Sequence, residues 1–110
     1  GGYGGKAAAE AINPTTEGKY WRDNYATRPY VEPKAPFDDY SPAYQYGWES
    51  YSRHAIKGET FDSVEPELSR GWDKARGSSR LEWERAREAT RDAWNRLDTS
   101  GKRTTVNPRP

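Results

Sequence analysis

The sequence contains no cysteine and a single histidine, His54. Without cysteine, a disulfide framework, a thiol nucleophile and a cysteine-based metal site are all excluded. With one histidine, a histidine-based metal site or a catalytic triad lacks most of its usual residues. We interpret His54 as a solvated residue or as one that caps the C-terminal end of a helix.

Aliphatic side chains are also scarce. Leu, Ile, Val and Phe together make up ten of the 110 residues, a proportion typical of disordered chains. Disorder usually comes with a high net charge and few aromatic residues, whereas this chain has a net charge of +1, five Trp and eight Tyr. Because each such ring can bury roughly 150 to 250 Å², we expect one folded domain with a thin core built of rings.

The charge balance and the hydropathy exclude further classes. Eighteen basic residues stand against 17 acidic ones, which argues against a dedicated polyanion-binding protein. No run of 18 apolar residues and no signal peptide is visible. The opening GGYGGKAAAEA resembles the end of a longer segment, and its glycines match neither the Walker pattern nor the dinucleotide fingerprint. We predict no cofactor.

The two ends differ in composition from the middle of the chain. Residues 1–12 are rich in Gly and Ala, and residues 99–110 are polar, basic and proline-bearing. Such compositions are typical of flexible ends. The sequence therefore predicts a single domain over residues 13–98, between a flexible Gly/Ala-rich segment and a flexible basic tail.

A recurring spacing of aromatic rings organises the middle of the chain. FDDYSPAYQYGW, residues 37–48, returns 24 residues later as FDSVEPELSRGW, residues 61–72. WERAREATRDAW, residues 83–94, keeps the same spacing of eleven residues between its first and last rings. Residues recur at helical spacing in each copy, and strand signals are nearly absent. The predicted inward stripes are Tyr40, Tyr44, Trp48 and Tyr51 in the first copy, Val64, Leu68, Trp72 and Ala75 in the second, and Trp83, Ala86, Thr90, Ala93, Trp94 and Leu97 in the third. We therefore predict an all-α, three-helix arrangement built from an aromatic repeat of 22 to 24 residues. The helices are expected near residues 39–55, 63–76 and 80–98.

The first two helices have candidate caps at equivalent positions. Asp38 and Asp62 each follow a phenylalanine, so either carboxylate can accept hydrogen bonds from the first free amides while the ring packs ahead of the cap. The dipole of the helix also favours acidic residues there. Alternative boundary residues are Ser41 and Glu65.

Prolines, a glycine and a serine supply the remaining helix signals. Pro42 and Pro66 are expected in the first turn, where a missing N–H does least harm. Gly77 is expected to end the second helix. Ser79 and Glu82 have the spacing of a capping box ahead of the third helix.

Glycine also occurs inside the predicted helices. Gly47 and Gly71 each precede the second ring of their copy, and Ala93 occupies the corresponding place in the third. A glycine in mid-helix costs roughly 1 kcal/mol relative to alanine. Its recurrence therefore predicts a close backbone crossing or a neighbouring ring at each position, so that substitution by alanine destabilises the fold.

The segment before the repeat has weaker signals. Asn13 and Pro14 could open a short helix, although Gly18 weakens that prediction. The following ATRPYVEPKAP contains three prolines and is expected to form an extended, polyproline-like arm. Tyr30 and Val31 are its expected apolar anchors against the helices.

Carboxylates offer the most plentiful material for catalysis, yet we assign no catalytic or metal-binding residue. The pairs Asp38–Asp39, Glu65–Glu67 and Glu82–Glu84 could act as acid and base in principle. Most of them lie at predicted helix starts, where the helix dipole already accounts for acidic residues.

Aromatic residues are the candidate core or interaction residues. Rings that are more numerous than a small core needs can form a self-association surface, receive a partner helix or bind a sugar. The candidates are Tyr20, Trp21, Tyr25, Tyr30, Phe37, Tyr44, Trp48, Phe61, Trp72, Trp83 and Trp94.

The third predicted helix supplies a nucleic-acid hypothesis. Its arginines and tryptophans could contact phosphates and stack on bases, together with the basic tail. The candidate contacts are Arg80, Arg87, Arg91, Lys102 and Arg103. Glutamates interleave with the arginines, however, and we favour a structural helix whose solvated face is laced by pairs three and four residues apart.

Several stretches in order resemble one known kind of protein. YWRDNYATRPYVEP at residues 20–33, the two phenylalanine-led copies and SRLEWERAREATRDAW are similar to a family of uncharacterised bacterial proteins. In that family an aromatic helical module follows a glycine-rich, zipper-like segment. The resemblance covers about residues 10–97. It implies no activity and no catalytic residues, and it suggests stress-related proteins with a membrane or envelope association through the upstream segment.

We therefore expect a non-enzymatic structural or protein-interaction module of a bacterial stress or envelope-associated protein, located in the cytoplasm or the cell envelope. A protein partner or a homo-oligomer is the expected assembly. A nucleic-acid-associated protein is the alternative, and a carbohydrate-binding surface is a third hypothesis.

Overall fold

A computed structural model describes residues 12–98, and within them the predicted all-α class is confirmed. The described part contains four α-helices and no strand: α1 Pro14–Asn24, α2 Phe37–His54, α3 Phe61–Ala75 and α4 Trp83–Leu97. Single 3-10 turns follow α1 and α2, at Tyr25–Thr27 and Ala55–Lys57. The three-helix count is one short, because the weakly predicted helix after Asn13 forms. The predicted flexible ends lie outside the described residues except for Ile12, which is partly buried against the core.

α1 forms because its first turn is well capped. The Asn13 side chain accepts hydrogen bonds from the backbone N–H groups of Thr15 at 2.9 Å and Thr16 at 3.2 Å, and Pro14 takes the first helical position. Gly18 lies within the helix without ending it. A Cβ placed there would meet the Trp48 ring at an ordinary contact distance of 3.7 Å.

α2 and α3 begin two residues earlier than predicted, at Phe37 and Phe61. Asp38 and Asp62 therefore lie inside the first turn. The predicted caps at these aspartates are wrong, and so are the alternative boundaries at Ser41 and Glu65. Both aspartates still lie at the positive end of the helix dipole, which favours their charge.

The start of α3 is fixed by a capping box at Thr60. The Thr60 hydroxyl accepts from the Ser63 backbone N–H at 3.1 Å, while the Ser63 hydroxyl accepts from the Thr60 N–H at 3.0 Å. The sequence pattern does not predict this box, because a serine takes the place of the usual Glu or Gln. Two otherwise unsatisfied amides are thereby paired.

The capping box predicted at Ser79 and Glu82 does not form. α4 begins at Trp83, and the residue before it, Glu82, makes no side-chain cap. The Ser79 hydroxyl instead donates to the backbone carbonyl of Asp39 at 2.6 Å and accepts from the Leu81 N–H at 3.2 Å. Ser79 therefore fastens the α3–α4 loop to the start of α2.

Each of α2 and α3 contains a proline in its second turn, and a glycine follows the end of α3. Pro42 and Pro66 are each the sixth residue of their helix, so their predicted first-turn position is wrong. Each removes one backbone hydrogen bond of the second turn. Gly77 has φ +56° just beyond α3, where glycine has no steric penalty, and the prediction that it ends the helix is confirmed.

The core lies between α2 and α4, with α1 packed beside α2 and α3 closing the other side. Rings dominate it, as predicted from the scarcity of aliphatic residues. The apolar stripes predicted for all three helices face inward, although Trp83 and Ala75 are only partly buried. The buried apolar residues are Trp21, Tyr40, Ala43, Tyr44, Tyr46, Trp48, Tyr51, Phe61, Val64, Leu68, Trp72, Ala86, Ala89, Ala93, Trp94 and Leu97.

The crossing of α2 and α4 depends on small residues. A Cβ placed on Gly47 would collide with the Thr90 backbone carbonyl and would lie 2.7 Å from the Ala93 Cβ. The Thr90 hydroxyl also donates across this crossing to the Ala43 carbonyl at 2.9 Å. At Gly71 a Cβ would lie 2.6 Å from the Tyr46 hydroxyl. The two glycines thus match the two predicted reasons, a backbone crossing at Gly47 and a neighbouring ring at Gly71.

The proline-bearing arm folds into turns rather than an extended chain. Val31 N–H donates to the Arg28 carbonyl at 3.1 Å, and Ala35 N–H donates to the Glu32 carbonyl at 3.0 Å. Lys34 adopts a left-handed φ of +66° in the second turn. The prediction of a polyproline-like conformation is therefore wrong. Tyr30 and Val31 do pack against the core, as expected of its anchors.

Over residues 12–98, every helix is too short or too polar to span a bilayer.

Candidate functional site

The predicted interaction aromatics lie mostly inside the protein. Trp21, Tyr44, Trp48, Phe61, Trp72 and Trp94 are buried, and Tyr25, Tyr30, Phe37 and Trp83 are half-buried. Tyr20 is 38 % exposed, and it is the one large apolar side chain in the described range that is classed as exposed. The rings available to a partner on this part of the chain are therefore few.

Polar side chains meet where the arm crosses α2 and α4. Arg28 donates to Asp92 from Nε to Oδ2 at 2.6 Å and from Nη2 to Oδ1 at 3.3 Å. The Tyr30 hydroxyl donates to Asp92 Oδ2 at 2.6 Å and lies 2.7 Å from the Tyr44 hydroxyl. Because the single Tyr30 proton is used on Asp92, Tyr44 must be the donor in the second bond. We call these four residues the arm cluster.

Burial sets the electrostatics of the arm cluster. It raises the pKa of Tyr30 far above the usual value for a phenol, and the hydrogen bond to Asp92 raises that pKa further. Burial also raises the pKa of Tyr44, against the smaller opposing effect of its hydrogen bond to Tyr30. Both phenols are therefore held neutral, while the Asp92 charge is balanced by Arg28.

Aromatic rings connect the arm cluster to the surface. The Trp21 ring stacks on Tyr44 with a centroid distance of 4.3 Å and an interplanar angle of 5°. Tyr20 meets Trp21 edge-on at 4.8 Å, and the Arg96 guanidinium carbon lies 3.9 Å from the centre of the Tyr20 ring. The sequence marks these rings individually. It does not show that they are contiguous.

Sequence analysis missed the two charged members of the arm cluster. Arg28 and Asp92 lie 64 residues apart and share no motif. In the sequence, Asp92 is one of several acidic residues that alternate with arginines along a predicted helix. Arg28 lies in a proline-rich loop. Only the packing of the arm on α4 brings them together.

The arginines around α4 pair with carboxylates from other elements. Arg87 donates to Glu65 from Nε at 2.5 Å and from Nη2 at 2.9 Å, and the Trp83 indole N–H reaches the same carboxylate at 3.4 Å. Further pairs link Arg80 with Asp39 at 2.7 Å, Arg85 with Glu32 at 2.7 Å, Arg91 with Asp62 at 3.1 Å and Arg96 with Glu17 at 3.2 Å. Arg87 also reaches Glu88 of the same helix at 3.3 Å. The expectation of a face laced by pairs three and four residues apart is wrong for these arginines, because their nearer partners come from α1, α2, α3 and the arm.

These pairs shift the titration of their carboxylates. Hydrogen bonds from Arg87 lower the pKa of Glu65, against a smaller opposing effect of burial. Hydrogen bonds from Arg80 likewise lower the pKa of Asp39. Three of the predicted nucleic-acid contacts, Arg80, Arg87 and Arg91, already form ion pairs with carboxylates of the same chain. Lys102 and Arg103 lie outside the described residues.

His54 is not a solvated residue. It is 7 % exposed at the end of α2, with Nδ1 2.6 Å from Glu59 Oε1 and Nε2 3.5 Å from Glu67 Oε2. It is the last residue of the helix, and its backbone carbonyl accepts from the Glu59 N–H at 3.1 Å. The predicted location at a helix end is confirmed, but the solvated alternative is wrong, because the loop to α3 folds back over the ring.

A shallow groove of about 430 Å³ runs between the arm and the start of α4. Pro29, Val31 and Pro33 form one wall, and Glu84 and Glu88 lie on the other. The Arg85–Glu32 ion pair joins these two elements. No set of three or more Asp, Glu, His or Cys residues within 12–98 is arranged to hold a metal ion.

Comparison of the chain with known protein families, with curated proteins and with solved structures found no match. The geometry of the described residues is therefore the basis for a functional proposal.

Proposed function

We propose that this chain is a non-enzymatic structural module, in which α2 and α4 form the central pair and the arm, α1 and α3 are fixed around it. We further propose that the module associates with a protein partner or with copies of itself. The 22 to 24 residue aromatic repeat is part of this proposal, as the pattern that gives each of α2, α3 and α4 a ring at its start and a tryptophan eleven residues later. The bacterial stress or envelope setting rests on the sequence resemblance described above.

The pairing of the α4 arginines carries the proposal. The guanidinium groups that could bind substrates or phosphates instead join α4 to the arm, α3 and α1. Arg80, in the loop before α4, pairs with Asp39 of α2. The Tyr30 and Tyr44 hydroxyls are likewise used between elements. Charged and polar groups of this chain therefore support the arrangement of the helices, which is what a structural module requires.

Tyr20 and its surroundings are the proposed contact with a second copy. Tyrosine and arginine are enriched at protein interfaces, and here an exposed tyrosine ring lies against the Arg96 guanidinium. Sedimentation velocity over a concentration series tests this. We expect the full chain to associate in a concentration-dependent way. Tyr20→Ser should weaken this association, whereas Lys74→Ser, the control at an exposed position of α3, should leave it unchanged. A monomer at all concentrations would overturn self-association.

The nucleic-acid alternative is disfavoured by the same ion pairs. A phosphate at Arg87 would compete with the Glu65 carboxylate, which takes two of its hydrogen bonds, and a phosphate at Arg91 would compete with Asp62. A gel shift with single- and double-stranded DNA over a range of salt concentrations tests the alternative, because phosphate binding weakens steeply with salt. We expect no shift at physiological salt. Tight, salt-sensitive binding would reverse the ranking of the two functions.

A further inference from the structure

The groove between the arm and the start of α4 is acidic, and we call it the arm groove. Glu32, Glu84 and Glu88 line it, and Arg85 is the one basic residue among its lining side chains. Arg85 is already paired with Glu32 at 2.7 Å. The positive charge inside the groove is therefore used, and the charges of the two glutamates on α4 are in excess.

Glu84 offers the most available of these charges. It is exposed, and it forms no ion pair with another of residues 12–98. Glu88 has a single contact, with Arg87 at 3.3 Å. The facing wall is apolar and consists of Pro29, Val31 and Pro33. A segment that fits both walls has basic side chains, small apolar side chains and no acidic ones.

The basic tail, residues 99–110, has this composition. Within TSGKRTTVNPRP, Lys102, Arg103 and Arg109 are basic, and no residue is acidic. Its apolar residues are one valine and two prolines, the same residue types that form the apolar wall of the arm groove. The tail therefore complements the arm groove in charge and in apolar character.

The tail follows α4 on the side of the helix that carries the arm groove. Asp98, the first residue after α4, still has helical dihedral angles, with φ −65° and ψ −33°. At about 3.6 residues per turn, Glu84, Glu88, Asn95 and Asp98 fall on one side of the helix. A segment that continues from Asp98 can thus turn back along this side without crossing the core.

The tail is also long enough to reach the arm groove. At a rise of about 1.5 Å per residue, Glu88 lies about 15 Å and Glu84 about 21 Å back along the helix from Asp98. An extended chain advances roughly 3.3 Å per residue, so Lys102 reaches roughly 13 Å from Asp98 and Arg109 roughly 36 Å. With the length of its own side chain, Lys102 can meet Glu88, and Arg109 can meet Glu84.

A second groove, of about 400 Å³, lies nearer the end of α4. Three carboxylates line it, those of Glu59, Asp62 and Asp98. All three have partners within the chain, which are His54 at 2.6 Å, Arg91 at 3.1 Å and Tyr51 at 3.4 Å, in that order. The arm groove is favoured over this one because the Glu84 carboxylate has no such partner among the described residues.

From this complementarity we propose that residues 99–110 dock in the arm groove of the same chain. The basic side chains of the tail pair with Glu84 and Glu88, and its valine and prolines pack against the arm. Because the tail is joined to α4, its effective concentration at the groove is higher than that of a separate basic segment. Docking holds Lys102 and Arg103, two of the candidate phosphate contacts, against carboxylates of the same chain. This contact is independent of the self-association proposed at Tyr20.

The absence of cysteine allows a direct test, because one introduced cysteine takes a single nitroxide spin label. The full chain is labelled at Thr104→Cys, in the middle of the tail, and its amide signals are recorded with the label oxidised and then reduced. We expect the oxidised label to abolish the amide signals of Val31 and Glu84, and reduction to restore them. Signal loss confined to the end of α4, or centred on Asp62 in the second groove, overturns the proposal.

Removal of the groove charges provides the second arm of the test. Glu84→Gln combined with Glu88→Gln keeps the size of both side chains, and the Val31 signal should then survive the oxidised label. Glu82→Gln is the matched control, because Glu82 is exposed next to the groove but does not line it, and the Val31 signal should still be lost. Salt at about 1 M, where the Debye length is about 3 Å, should also restore the signal. A Val31 signal that stays lost in the double variant and at high salt contradicts docking by charge.

A mixed sample distinguishes docking within one chain from exchange between copies. Spin-labelled chain is mixed with an equal amount of isotope-enriched chain that carries no spin label, so that the observed signals report only contacts between molecules. We expect the Val31 signal of the enriched chain to keep its intensity. Its loss would assign the groove to the tail of a second copy and refute docking within the chain.

Discussion

The two sides of the α2–α4 pair are built from different materials. On the side of α1 and the arm, tyrosines supply the packing, and the hydroxyls of Tyr25, Tyr30 and Tyr44 all form hydrogen bonds. On the side of α3, Val64 and Leu68 pack with the indoles of the tryptophans. The first side therefore depends on directional bonds to a few polar atoms. The second combines the buried area of these side chains with fewer polar contacts, chiefly the Tyr46 hydroxyl donating to the Leu68 carbonyl at 2.7 Å and the Arg87–Glu65 ion pair.

The crossing that both sides share is the most demanding part of the fold. Gly47→Ala would force a methyl group into the Thr90 carbonyl, and neither backbone can move without shifting a helix. We expect a loss of about 3 kcal/mol in the free energy of unfolding, at the upper end of the usual cost of overpacking. Urea denaturation followed by tryptophan fluorescence measures it.

Gly71→Ala is the matched control for Gly47→Ala. Its new methyl group would meet only the Tyr46 hydroxyl, at the far end of a side chain. A shift of that hydroxyl relieves the contact without moving a helix, although it strains the hydrogen bond to the Leu68 carbonyl. The gain in helix propensity, roughly 1 kcal/mol, offsets part of the strain, and the net loss should not exceed about 1 kcal/mol. Equal effects of the two substitutions would show that the crossing is not limited by the backbone.

Asp92→Ala distinguishes the two sides more directly. It leaves the Arg28 guanidinium and the Tyr30 hydroxyl without their acceptor at a largely buried position, which should cost about 3 kcal/mol. Glu88→Ala, on the same helix, removes a more exposed carboxylate that reaches Arg87 at 3.3 Å. It should change stability by less than about 0.5 kcal/mol. Chemical denaturation of both variants checks the contrast, and a small effect of Asp92→Ala would mean that packing alone holds the arm.

Sequence reasoning succeeded where the signal is local. The spacing of Tyr40, Tyr44 and Trp48 reports one face of one helix, and a helix period needs no knowledge of the rest of the fold. The same holds for Gly77, whose conformational freedom suits the position after a helix. The close crossing at Gly47 could be predicted for a similar reason, because the free-energy cost of a glycine inside a helix must be offset by a favourable contact nearby.

Sequence reasoning failed where a residue had a choice of partners. Ser79 and Glu82 have the spacing of a capping box, yet the Ser79 hydroxyl is used by a carbonyl 40 residues away in sequence. The arginines of α4 have glutamates three and four residues away, but bond to carboxylates from other elements. Such competition is decided by the tertiary arrangement. For the same reason, the arm cluster could not be predicted before the arm was placed on α4.

The cap of α3 is expected to contribute less to stability than the crossing at Gly47 or the hydrogen bonds of Asp92. Thr60→Ala removes the hydroxyl that accepts from the Ser63 amide, which is one half of the capping box, and should cost about 1 kcal/mol. Thr60→Ser keeps the hydroxyl and should stay within about 0.3 kcal/mol of the parent. Thermal unfolding by circular dichroism measures both. Identical midpoints for Thr60→Ala and the parent would show that packing of Phe61 fixes the helix start without the cap.

The smallest expected effect concerns acid stability on the α3 side. Arg87 lowers the pKa of Glu65 below its ordinary value of 4.5, so the folded protein favours the carboxylate more than the unfolded chain does. This contribution is complete above that ordinary value and is lost as the pH falls through the lower, folded value. Glu65→Gln should therefore be less stable than the parent at neutral pH but lose less stability between neutral and acid conditions. Urea midpoints measured across this range test the prediction. Parallel curves for the two proteins would mean that the Glu65–Arg87 contact contributes no pH-dependent stability to the α3 side.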